Sequence, residues 1–139
     1  MWPISGAYEV IRQFPKNHDE QLSQNFWLRE FHCQCRTDAC KTTYISEELI
    51  EGLQAVRDLI GPILVLSGFR CRTHNESVGG KADSKHLLGI AADITGKGIS
   101  SNELKKSAQR VLVFSQGGIG VYHWGVHCDV RGTPARWIG

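Results

Sequence analysis

The chain lacks any apolar run approaching the ~18–20 residues that span a bilayer, which excludes an ordinary membrane-spanning helix. Its opening, Met1-Trp2-Pro3-Ile4-Ser5-Gly6, has neither a basic start nor the apolar stretch of a secretory signal. Synthesis in the cytoplasm without a signal peptide is therefore the expectation. No internal repeat, low-complexity tract or long linker interrupts the sequence. Charge of one sign is also scarce: the net charge of +2 gives no argument for nucleic acid and allows only a weak attraction to anionic polymers such as cell-wall glycans.

What is present suits one domain spanning residues 1–139. The chain is 41% apolar and 22% charged, the composition of an ordinary globular protein. Five cysteines cannot all pair within the chain, and cytoplasmic synthesis favours free thiols. His32-Cys33-x-Cys35-x4-Cys40 gathers soft ligands. It reads as a structural zinc site, as buried free thiols, or as a bridge formed after release. The Cys-x-Cys gap is tighter than that of standard zinc knuckles, and no second pair follows. Cys71 lies next to Arg70.

The pattern predicts an α+β fold, with helices packed on a small, mostly antiparallel sheet. Residues 1–30 are polar with scattered aromatics (Trp2, Phe14, Phe26, Trp27) and read as an arm on the domain surface, peripheral over residues 1–21. Ser46 is a candidate N-cap, with Glu47 and Glu48 in the first turn. Leu49, Leu53, Val56 and Ile60 then recur at helical spacing up to the Gly61-Pro62 stop. Residues 63–66 and 90–94 read as buried strands, with a loop beginning at Ser67. Ser100 and Glu103 form a capping box that opens a helix continuing through Leu104, Ala108, Val111 and Leu112 to Gly117-Gly118. Residues 119–122 and 126–130 read as strands joined by a short turn at His123-Trp124-Gly125.

Within this frame His86, Asp93 and His127 stand out. Asp93 sits in an apolar strand, where a bare carboxylate is costly and a cation is the usual compensation. A backbone amide or an arginine is the bland alternative, as ordinary packing is for either histidine. Two imidazoles and a carboxylate are a set that zinc accepts while keeping a position for water. His127 and Asp129 share one strand face, and Cys128 should turn to the core.

At these residues the chain resembles the zinc peptidases that include D-Ala-D-Ala carboxypeptidases, L-alanyl-D-glutamate endopeptidases of phage lysins, and the zinc fold of hedgehog signalling domains. The resemblance covers roughly residues 22–138 and is nearest the compact bacterial and phage branch. It rests on Leu66-Ser67-Gly68-Phe69-Arg70, His74-Asn75, Val78-Gly79-Gly80, Ser84-Lys85-His86, Gly89-Ile90-Ala91-Ala92-Asp93, Gly118-Ile119-Gly120-Val121-Tyr122 and Val126-His127-Cys128-Asp129-Val130-Arg131. It implies Zn2+ held by His86, Asp93 and His127, with Arg70 facing a substrate carbonyl or carboxylate. The implied substrate is the peptide stem of peptidoglycan.

One departure matters. Several family members carry an acid three residues before the last zinc histidine, where this chain has Trp124. Asp129 is the first candidate for the general base, with His123 behind it. Ser84 either orients His86 or caps a turn. Asn75 either binds substrate backbone or forms a turn. Tyr122 and Trp124 are candidates for lining the site, and Trp124 and Trp137 either wall the cleft or pack.

Two functions follow. One is a peptidoglycan carboxypeptidase or endopeptidase of phage or prophage lysin type, acting on the wall after release. The other is a non-catalytic wall-binding or structural module, for instance in a phage tail, for which phage structural proteins are the partners. Neither involves nucleic acid or a membrane.

Overall fold

Ser46 fixes where the first helix begins. In the computed structural model, which describes residues 10–38 and 40–139, its Oγ accepts from the Leu49 amide at 3.1 Å. Helix α1 then runs Glu47–Ile60 and ends at Gly61, whose φ of 97° suits only glycine well. Its buried face (Leu49, Ile50, Leu53, Val56) follows the helical spacing read from the sequence.

A five-stranded sheet has the order β3-β4-β6-β5-β7. The strands are β3 Leu64–Ser67, β4 Ala91–Thr95, β5 Gly118–Tyr122, β6 Gly125–Asp129 and β7 Ala135–Ile138. All neighbours are antiparallel except β5 and β7, which run parallel. Alternation along each strand divides the sheet's faces. Ala92, Ile94, Ile119, Val126 and Cys128 point into a core shared with α1, with Leu104 and Ala108 of α3 (Ser101–Gln109), and with Phe114 of α4 (Leu112–Ser115). Cys128 therefore packs in the core, as alternation predicts. The opposite face carries Asp93, His127 and Asp129.

Two expectations are corrected. The helix opened by Ser100, whose Oγ accepts from Glu103 N at 3.1 Å, does not continue to Gly117. It stops after Gln109, and Val111 takes an extended conformation before α4 begins. The break re-aims the chain so that Phe114 packs onto Gly52 of α1, where even a Cβ would crowd the ring at 2.8 Å. The N-terminal stretch is also more than a surface arm. Residues 1–9, Trp2 among them, lie outside the described residues. Beyond them, β1 (Ile11–Pro15) pairs antiparallel with β2 (Thr42–Ser46). Phe26, Leu28 and Phe31 are fully buried in the main core, whereas Trp27 is 37% exposed.

Two short elements between β3 and β4 pack against one another. One is α2 (Arg72–Ser77); the other is a single 3-10 turn over Lys85–Leu88. Among the described residues, no helix is long and apolar enough to cross a membrane.

Candidate metal centre and its cleft

One row of residues crosses all five strands. Ser67 pairs with Asp93, Asp93 with His127, His127 with Gly120, and Gly120 with Trp137. A register irregularity between Val65 and Ser67 brings Ser67 into the row.

His86 reaches this row from the 3-10 turn. Ser84 caps that turn, its Oγ accepting from His86 N at 3.2 Å. Gly89 closes it at φ 75°, and its carbonyl accepts from Ser46 N at 2.9 Å. Of the two roles open for Ser84, the turn cap is the one seen, although Ser84 also lines the cleft.

The hydrogen bonds set the tautomers. His86 Nδ1 lies 2.7 Å from the Gly68 carbonyl, which can only accept. Nδ1 therefore carries the proton, and the lone pair of the neutral ring is on Nε2, 3.2 Å from Asp93 Oδ1. His127 Nε2 lies 2.7 Å from Asp129 Oδ2, so in the neutral ring that donates to this carboxylate the lone pair is on Nδ1, also 3.2 Å from Asp93 Oδ1. Two imidazole lone pairs thus converge on one anionic oxygen. Neutral rings in that arrangement repel the carboxylate unless a cation lies between them. The donor set fits zinc, which takes histidine nitrogen and carboxylate oxygen and keeps an open position in catalytic sites. The ligand atoms of His86, Asp93 and His127 lie within 4.8 Å of one another, and all three residues are buried.

The electrostatics favour the ionised form of both carboxylates. Burial opposes ionisation of Asp93, but His127 and His86, when protonated and donating to it, outweigh burial and hold the carboxyl well below the usual carboxylate range. Asp129 is held low in the same way, with burial overcome by His127 and then Arg131. Burial disfavours the imidazolium of His127, yet Asp129 and Asp93 together raise its pKa.

Asp129 does not have the surroundings expected of a base. It is 0% exposed. Oδ1 accepts from Gly118 N at 2.9 Å, Arg131 N at 3.1 Å and Arg131 Nε at 2.9 Å, while Oδ2 accepts from His127 and from Arg131 Nη2 at 2.7 Å. This is a carboxylate that orients an imidazole and raises its basicity. His123 is exposed on the turn between β5 and β6 and does not line the cleft, because the turn directs it to solvent.

The cleft above the ligands has a volume of about 690 Å³. Arg70 lines it, held by Nε to Ser67 Oγ at 3.0 Å, Nη1 to Asn75 Oδ1 at 3.4 Å and Nη2 to Asp93 Oδ2 at 3.1 Å. Asn75 is 2% exposed and lies behind the wall, with Nδ2 donating to the Lys81 carbonyl at 2.8 Å. It positions Arg70 and the loop without lining the cleft. Tyr122 and Trp124 do line it, stacked at 4.7 Å. Trp137 joins them: its Nε1 donates to Tyr122 Oη at 2.8 Å, its ring lies 5.1 Å from that of His127, and the Arg131 guanidinium sits 5.3 Å from its centroid. The wall role thus falls to both tryptophans.

The sequence reading left three contributors without a role. Gly118 and Gly120 strip β5 of side chains where the Asp129 carboxylate and the Trp137 indole need the space. Arg131 neutralises Asp129. All three stood within quoted motifs, and the Gly-x-Gly alternation on a strand was the available signal.

The sequence pattern of the family described as Peptidase M15 matches residues 24–129. Over 44 residues the chain is 50% identical to the zinc D-Ala-D-Ala carboxypeptidase of Streptomyces albus G, a stretch covering 30% of this chain and 17% of that protein.

Proposed function

Because the chain belongs to the peptidase M15 family, we propose that it is a zinc peptidase hydrolysing an amide bond in peptidoglycan stem peptides. The observation that carries this reading is the convergence of His86 Nε2, His127 Nδ1 and Asp93 Oδ1 beneath an open cleft. The partial likeness to a zinc D-Ala-D-Ala carboxypeptidase supports the metal and the substrate class.

When bound by these three residues, zinc supplies Lewis acidity that polarises a carbonyl and brings the pKa of water toward ~7. The protein's own groups do the rest. Asp129 fixes the His127 ring so that Nδ1 faces the ligand point. Arg70 has three N–H groups engaged by Ser67, Asn75 and Asp93. Its remaining donors face the cleft, where a planar fork suits a carbonyl oxygen acquiring charge or a terminal carboxylate. Lys81 and Lys85 add positive charge to the lining, which attracts the carboxylates of a stem peptide. Tyr122, Trp124 and Trp137 give the cleft an apolar wall.

The same reading extends to a lysin of phage or prophage type acting on the cell wall, supported by the resemblance of residues 22–138 to the compact branch. A second reading, a wall-binding module or phage structural component, is favoured by Trp124 at the family's usual acid position and by the complete burial of Asp129. Mass spectrometry of purified muropeptides incubated with the zinc-loaded protein, beside His86→Ala, separates the two. A defined product made only by the intact site names the bond and establishes the peptidase. No product from any stem type, with zinc bound and the fold intact, removes the enzymatic reading and leaves the binding module.

A further inference from the structure

The cysteines lie apart from the cleft chemistry. Cys33, Cys35 and Cys40 lie in sequence between the 3-10 turn at Leu28–Phe31 and β2, whereas Cys71 is the N-cap of α2. The fold closes this separation: all four Sγ atoms lie within 4.8 Å of one another. Cys33 Sγ and Cys71 Sγ are 3.6 Å apart, and all four thiols are free. A tetrahedron with Zn–S bonds of ~2.3 Å has edges of about 3.8 Å. The fifth cysteine, Cys128, is elsewhere in the core.

Backbone and side-chain donors approach three of the four sulfurs. Backbone amides point at sulfur: Cys71 N to Cys33 Sγ at 3.3 Å and His74 N to Cys71 Sγ at 3.4 Å. Lys16 Nζ lies 3.1 Å from Cys35 Sγ and 3.1 Å from the Cys35 carbonyl, placing a positive charge beside the cluster. Thr37 Oγ1 adds a longer contact to Cys35 Sγ at 3.9 Å. Phe69 and Tyr44, with ring centroids 5.5 Å apart, pack against the cysteines and limit access of water.

We propose that Cys33, Cys35, Cys40 and Cys71 hold a second metal ion, a structural zinc with four thiolate ligands. Such a site is closed, with no position for water, so it contributes to folding and not to hydrolysis. It clips the stretch that holds Cys33, Cys35 and Cys40 onto the first turn of α2. It does so at the residue after Arg70, so the metal also anchors the backbone that presents Arg70 to the cleft. Tetrahedral S4 geometry selects zinc over the hard cations magnesium and calcium.

The test counts metal in the whole chain and separates the two sites. Elemental analysis of the gel-filtered wild-type protein is expected to give two zinc ions per chain. The double variant His86→Ala/His127→Ala is expected to give one. A thiol-specific mercurial added to that variant should release this zinc as four thiols are consumed, and cobalt loading should produce the intense thiolate-to-cobalt charge-transfer band of an S4 site. Neither readout requires a cysteine to be substituted, so a Cys33→Ser/Cys71→Ser variant that fails to fold costs the test nothing. Four thiols that react freely in the native double variant with no metal bound overturn the proposal, as does a mass showing disulfides among these four. One zinc in the wild type that persists in the double variant supports the cysteine site and removes the histidine site instead.

Discussion

Trp137 and His127 sit on strands that are not neighbours, yet their rings are 5.1 Å apart. Strand β5 runs between them, and at the crossing it carries Gly120, which pairs with both residues. The indole occupies the volume that a Cβ at position 120 would need. Trp137 can therefore wall the metal centre only because β5 has no side chain there.

Gly120→Ala should accordingly push Trp137 off His127. Overpacking of this kind costs typically 1–3 kcal/mol, so the melting temperature should fall by several degrees and tryptophan emission should shift as the ring gains solvent. Zinc should still bind, because Asp93 and His127 keep their strand positions and His86 its place on the 3-10 turn. An unchanged melting temperature and emission spectrum would mean that the indole does not depend on this gap.

Asp129→Asn probes a positioning role. The amide keeps the shape of the carboxylate but loses the charge that holds His127 Nε2–H and pairs with Arg131. Zinc affinity, measured by chelator competition, should fall 10–100-fold, the usual loss for a partner of a metal-bound histidine. Turnover at saturating zinc should fall far less than affinity. If affinity is intact and turnover alone is lost, Asp129 acts on the reacting atoms after all.

Arg70→Ala should slow turnover on the order of 100-fold, since loss of one donor to a developing oxyanion costs ~2.7–4 kcal/mol in the barrier. Zinc stoichiometry should stay at the wild-type value. Arg70→Lys should recover only a small part, because an ammonium cannot span Ser67, Asn75 and Asp93 with one planar group. Near-normal kcat/KM in Arg70→Ala would remove this residue from the reaction.

Gly89→Ala tests the turn that delivers His86. At φ 75° a Cβ is strained, and here it would also meet the Tyr44 carbonyl. The cost should be at least about 1 kcal/mol, read in thermal denaturation, and weaker zinc binding should accompany it as His86 shifts. Denaturation at the wild-type temperature would show that the turn relaxes without penalty.

Local signals account for what the sequence reading reached. Ser46 and Gly61 bracket α1 because capping and termination are matters of a few residues, and alternation correctly turned Cys128 inward. The residues His86, Asp93 and His127 were legible as a set through their motifs. What escaped was long-range. Phe26 and Leu28 look like surface aromatics and aliphatics until β1–β2 and α1 close over them. Strand β7 is four residues long and pairs in parallel, so no hairpin turn announces it. Cys71 could not be joined to Cys33, Cys35 and Cys40 on spacing, because the loop after β3 brings it back from outside the cluster. The base assignment to Asp129 rested on the family resemblance and on the strand face it shares with His127; Gly118 and Arg131, which fill both its oxygens, come from other elements or the strand's end.

The row Ser67–Asp93–His127–Gly120–Trp137 takes one member from each of five strands. A slip of one residue in any strand would send its member to the helix-packed face. Zinc is therefore sensitive to how β4 and β6 are paired: a one-residue slip of β4 offers it alanine or isoleucine in place of aspartate, and a slip of β6 in one direction offers valine in place of histidine. Metal capture would act as a check during folding on the alignment of the two ligand-bearing strands.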